Sequence, residues 1–211
     1  MSLADQLESL LPPGRHLSFG ELTLCRHEDG TFEARHSVPD AAEAALAEIH
    51  SVRDLRELAK YDAAGNYRPL KTAPGLVAGW RTETRSPSEF LKRLDAIYPA
   101  LFATWIAFQR GQITAVPLRR TLNRQTGMYR LVGTITSEMA ERIRRELCQP
   151  GCLRQITWPN EENDPPANQI EPADRIPLLC SEACTFAVNR ARELAKTVPK
   201  TRIDPPGPDG D

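Results

Sequence analysis

Four of the five cysteines in this 211-residue chain fall into two couples of one spacing, Cys148-x3-Cys152 and Cys180-x3-Cys184, with 27 residues between the couples. No other feature limits the fold as much. Thiolates ligate iron–sulfur clusters and structural zinc, so two couples serving one centre must meet in space. Thr136 opens a helix whose Met139, Ile143 and Leu147 form one stripe, and Cys148 closes that helix. Gln149-Pro150-Gly151 then turns the chain so that Cys152 can face the same point. Ser181 reads as the cap of a last helix over residues 182–196, with Cys180 ahead of the cap and Cys184 in the first turn. That turn offers unpaired backbone N–H groups and the positive end of the helix dipole, which stabilise a thiolate or an anionic cluster.

A gap of three residues opens each couple wider than the two-residue gap typical of zinc knuckles. It suits a cubane whose irons sit at separate corners, so a [4Fe-4S] cluster is the first expectation. Zinc, which tolerates gaps of two to four, is the alternative, and disulfides or buried thiols come last. Leu147, Leu153, Ile156, Trp158, Leu178, Leu179 and Phe186 supply apolar neighbours for a partly buried cluster. Cys25 stands apart in a strand region and reads as a small buried residue. The N-terminus lacks the charge pattern and apolar run of a secretory signal, and no stretch approaches a membrane span. A cytoplasmic location is expected. In a reducing compartment, paired cysteines favour metal over disulfide.

The rest of the chain reads as an α+β fold, mostly helical. Residues 2–11 have helical spacing. Residues 16–26 and 31–36 flank the turn dipeptide Asp29-Gly30 as an N-terminal β-hairpin. Asp40 opens an Ala-rich helix, Ser51 caps another over residues 52–61, and Ser86-Pro87-Ser88-Glu89 starts a third. Residues 63–84 are irregular, a loop fixed by Pro69, Pro74, Gly75, Gly79 and Trp80. Pro99 precedes a helix over residues 100–109. Residues 116–121 and 128–133 are expected to pair as a second short hairpin around residues 123–127. After Cys152 come a strand candidate at residues 153–158 and a polar loop at residues 160–175 that thiolates would anchor at both ends. The expected divisions are residues 1–50 for the N-terminal helix and hairpin, residues 51–196 for the cluster-binding domain, and residues 197–211 for a disordered Pro/Gly-rich tail.

Other clusters carry less. If the strands gathered His16, His27 and His36 they would make a metal site, but a solvated hairpin edge explains them as well. His50 reads as a charge at a helix C-terminus. Arg119, Arg120, Arg124 and Arg130, then Arg142, Arg144, Arg145 and Arg154, suit a winged-helix wing on nucleic acid, a solvated face, or neutralisation of an anionic cluster. The 27 basic and 28 acidic residues nearly cancel, so bulk charge favours no polyanionic partner. Trp80, Tyr98, Trp105 and Trp158 read as core. No phosphate loop, dinucleotide fingerprint, zincin helix or nucleophile motif is present, so a non-catalytic role is expected.

The stretch Cys148-x-x-Gly151-Cys152-Leu153-Arg154-x-Ile156-x-Trp158, followed by Pro177-Leu178-x-Cys180-x-Glu182-Ala183-Cys184, resembles the [4Fe-4S] cluster-binding domain attached to sirohydrochlorin cobaltochelatase-like proteins. The likeness extends upstream through residues 67–74, Gly79-Trp80 and Tyr98-Pro99-Ala100. It implies an α+β domain whose cluster is held by Cys148, Cys152, Cys180 and Cys184. The roughly 50 residues ahead of the matched region are too few for a chelatase module. The expected role is electron transfer with a redox partner protein, one related to tetrapyrrole chemistry. A structural cluster, or zinc in an interaction or nucleic-acid-binding domain, is the alternative. A fully ligated centre argues against substrate binding at iron.

Overall fold

Alternating apolar residues build the first layer. The computed structural model describes residues 1–37, 46–113, 118–126, 134–154, 174–180 and 183–197. Strands β1 (His16–Phe19), β2 (Leu22–Arg26) and β3 (Phe32–His36) form an antiparallel meander. The single strand expected over residues 16–26 is broken by a two-residue turn at Gly20-Glu21, where Gly20 takes φ +63°, a value glycine adopts freely. β5 (Trp80–Thr84) adds antiparallel to β3, and the two-residue β4 (Ala47–Glu48) lies parallel to β5 at one edge. At the other edge β6 (Arg175–Ile176) runs parallel to β1, completing the order β4-β5-β3-β2-β1-β6.

One sheet face is apolar. Leu17, Phe19, Leu22, Leu24, Phe32, Ala34 and Trp80 are buried in one core with residues of α1 (Leu3–Leu10), α2 (Val52–Leu58), α3 (Pro87–Ile97) and α4 (Leu101–Gln109). Phe19 meets Tyr98 edge-on at 5.4 Å, and Phe32 meets Phe90 at 5.4 Å. Caps set the helix starts: the Ser51 and Ser86 hydroxyls accept from the N–H groups of Asp54 and Glu89. Ile176 and Leu178 of the C-terminal half also belong to this core.

A second core lies among α5 (Leu118–Thr126), α6 (Ser137–Ile143) and α8 (Thr185–Thr197). Ala187, Ala191, Leu194 and Ala195 form the buried stripe of α8, against Leu118, Leu122, Ala140 and Ile143.

Several expectations are corrected. The second hairpin is not formed: residues 118–126 are helical, with Leu118, Thr121, Leu122 and Thr126 buried at helical spacing. The exposed arginines between them had imitated alternation. Asn123, expected in the turn, lies within α5 and clamps Ile135 by donating to its carbonyl at 3.0 Å and accepting from its N–H at 3.1 Å. The winged-helix reading loses its wing. Residues 47–48 are strand, so the Ala-rich helix does not reach them and His50 is no helix C-terminus; it stands 3.9 Å from Glu48. Residues 80–84 of the expected loop and Arg175 are strand too. The start of the Ala-rich helix, residues 128–133, the strand candidate beyond Arg154, Trp158, the polar loop up to residue 173, Ser181 and the tail beyond Thr197 lie outside the described residues.

Candidate metal centre

Thr136 caps α6, its hydroxyl accepting from the Met139 N–H at 3.3 Å. The helix then widens into a π-helical turn, Arg144–Cys148, a form that concentrates at functional sites. α7 (Gln149–Gly151) is one further turn, and Cys152 leaves it extended, φ −149° and ψ 136°. Cys180 comes from the opposite direction. β6 is held by β1, and Leu178 and Leu179 are buried just ahead of it. The last helix begins three residues later than expected, at Thr185. The Cys184 carbonyl accepts its first hydrogen bond, from the Val188 N–H at 3.0 Å, so Cys184 stands at the helix entrance.

All four cysteines line one cavity of about 290 Å³, far above the roughly 30 Å³ share of one water. Pro69, Leu70, Ala73, Leu118 and Phe186 supply apolar wall. None of these four described cysteines is in a disulfide, and all are half-buried. Burial, then the charges of Cys180, Cys184 and Cys152, push the Cys148 thiol up to about 12. Burial also raises Cys180, against the hydrogen bond and charge of Arg154, which lower it. Mutual repulsion of this kind is felt only between near neighbours. Among the described residues, no three of these sulfurs all lie within 4.8 Å of one another.

Two further residues reach the sulfurs. Thr72 Oγ1 is 3.2 Å from Cys152 Sγ, and against a thiolate the hydroxyl is the donor. Arg154 donates its backbone N–H to Cys152 Sγ at 3.4 Å and its Nη1 to Cys180 Sγ at 3.5 Å, bridging the couples. Nothing in the spacing of the sequence marked Thr72 as a neighbour of Cys152. Its place is set by the loop of residues 61–79, held where Glu21 accepts from the N–H groups of Gly75 and Leu76 at 2.8 and 3.1 Å. Buried Arg68 adds bonds to the carbonyls of Lys71 and Ala73. The Leu153 N–H then bonds the Thr72 carbonyl at 2.7 Å.

Among the described residues, the remaining candidates do not line this cavity, although the charge of Arg144 reaches Cys148 and lowers its pKa. Arg142 and Arg190 pair with Glu146, and Arg144 pairs with Glu141 through two bonds. His36 is bound to the Leu76 carbonyl at 3.0 Å, and His27 lies beside Cys25 and Glu33, so the three strand histidines share no site among the described residues. Cys25 is buried, as expected, yet its sulfur has polar neighbours the sequence did not suggest.

Known proteins match both halves of the chain. Residues 5–109 match the family described as the DR2241 stabilising domain. Residues 110–193 match the family described as the 4Fe-4S iron-sulfur cluster binding domain. Among solved structures, DR2241 from Deinococcus radiodurans is similar, with a TM-score of 0.65 and 27% identity over 86% of this chain. That protein is described as multi-domain, with structural similarity to chelatases and two additional novel domains. The present chain spans 38% of its length. No curated protein matches this chain.

Proposed function

We propose that Cys148, Cys152, Cys180 and Cys184 hold one [4Fe-4S] cluster and that the chain passes electrons to or from a partner protein, a reading supported by the match of residues 110–193 to a 4Fe-4S iron-sulfur cluster binding domain and of residues 5–109 to a DR2241 stabilising domain. The observation that carries the reading is the meeting of both cysteine couples on one apolar-walled cavity. The donor set fits the group: four soft sulfurs, with a hydroxyl, a backbone N–H and a guanidinium aimed at two of them. The spread of the sulfurs supports a cluster over zinc, because a Zn(Cys)4 tetrahedron with Zn–S near 2.3 Å sets its sulfurs only about 3.8 Å apart. When bound, the cluster supplies a one-electron reservoir.

The chain's own residues hold and shield it. Arg154 offsets thiolate charge, and Thr72 stabilises the anionic sulfur. Phe186, 48% exposed, gives the cavity wall an aromatic surface suited to a protein partner. The likeness to a protein resembling chelatases suggests a tetrapyrrole-related enzyme as that partner.

A structural role is the second reading. It is favoured by the packing of Cys180 and Cys184 against the small, alanine-rich second core, which a metal centre would brace. Anaerobic purification with iron, sulfide and zinc analysis, followed by EPR before and after dithionite, separates the readings. About four irons and sulfides per chain with a reducible signal support electron transfer. A full iron complement that dithionite leaves unchanged supports the structural role. Cys152→Ser should lose the iron, whereas Cys25→Ser should keep it. Full iron and sulfide in Cys152→Ser would falsify the ligand set.

A further inference from the structure

A different donor set lies within residues 5–109 and shares no residue with the cysteine cavity. Cys25 on β2 and His27 just beyond it are two residues apart, so their side chains leave the same sheet face. The His27 N–H bonds the Thr31 carbonyl at 2.8 Å, which continues the ladder past Arg26. Glu33 on β3 is the direct cross-strand partner of Cys25. Both carboxylate oxygens of Glu33 take part, and one donor atom from each of the three residues lies within 4.8 Å of the other two. Cys25 Sγ stands 3.6 Å from Glu33 Oε1 and 3.8 Å from His27 Nε2, and His27 Nε2 stands 3.6 Å from Glu33 Oε2. Zinc bound tetrahedrally by sulfur near 2.3 Å and by nitrogen and oxygen near 2.0–2.1 Å separates such atoms by about 3.4–3.6 Å.

We propose that Cys25, His27 and Glu33 form a three-ligand zinc site. Thiol, imidazole and carboxylate together select zinc over calcium or magnesium, which take oxygen. A thiolate and a carboxylate balance the charge of the ion. Cys25 and Glu33 are buried, while the His27 side chain is 45% exposed. The ion therefore enters past the imidazole, and its fourth position opens there to water or a small anion. Arg35 and Arg81 flank Glu33 at 3.6 and 4.0 Å, beyond hydrogen-bond length; the Cys25 thiol donates to Glu33 Oε1 and the cross-strand Glu83 carboxyl also bonds Glu33, and the thiol gives up that proton when it ligates. Arg81 stands nearer to Glu83, at 3.3 Å. Both guanidiniums favour an anionic fourth ligand. The site does not rest on the cluster reading.

The test uses the full chain, purified anaerobically with its iron, incubated with zinc chloride and desalted. The expected result is about one zinc per chain with iron unchanged, and a zinc-edge absorption spectrum fitted by one sulfur among nitrogen and oxygen neighbours. Cys25→Ala and Glu33→Gln abolish zinc retention. Because substitution at those buried positions can unfold the sheet, His27→Gln at the exposed donor is the decisive variant. It weakens zinc binding by about tenfold or more, with circular dichroism and iron content unaltered. Absence of retained zinc in the unsubstituted chain, an all-sulfur shell, or undiminished binding by His27→Gln each overturns the site.

Discussion

Thr72 and Cys152 meet across 80 positions of sequence, and their contact is the smallest unit that joins the two halves of the chain at the proposed cluster. A hydroxyl donating to a ligating sulfur withdraws charge from it and favours the reduced, more negative state. Thr72→Val should therefore move the reduction potential negative in a dithionite titration, and Thr72→Ser should restore it. An unchanged potential in Thr72→Val would remove the residue from the tuning of the site. Gly20 presents a different constraint. An added Cβ would lie 2.6 Å from the Tyr98 hydroxyl, and φ is +63°. Tyr98 is fully buried, its oxygen accepts from the Glu21 N–H, and burial pushes its pKa up to about 12. Gly20→Ala should cost about 1–3 kcal/mol or more, read as a lowered melting temperature.

The α6 helix and its π-helical turn carry Cys148, and their pH response has a definite sign. The thiol's folded pKa, about 12, lies above its ordinary 9.0. The folded state thus keeps a proton that the unfolded chain gives up, and this contribution to stability is complete below pH 9 and fades as pH climbs toward 12. Metal-free protein should melt progressively earlier across that window, and Cys148→Ser should flatten the slope. Metal loading runs the other way and strengthens as pH rises, because binding displaces thiol protons. At this scale much was legible in the sequence. Ser51, Ser86 and Thr136 announced their helices because capping is a local interaction. The α5 helix was missed because its buried threonines, Thr121 and Thr126, look polar in a one-dimensional pattern. β4 and β6 were missed because a two-residue strand carries no periodicity, and its pairing is decided by the sheet that receives it.

Across the whole molecule, the convergence of the cysteine couples could be inferred from their spacing, but the route that brings them together could not. Cys180 arrives by way of β6, whose neighbour Ser18 lies more than 150 residues earlier in the chain. Ile176 is buried in the sheet core, so Ile176→Ala should cost about 2–5 kcal/mol in chemical denaturation. It should also lower the iron retained after desalting, although the side chain is no ligand and lines no part of the cavity. Full iron retention with normal stability would disconnect the two regions. The edge pairing of β6 with β1 makes tenancy of the cysteine pocket a gauge of health for the opposite half. With the proposed cluster bound, a lesion beneath the meander would announce itself first as loss of brown colour.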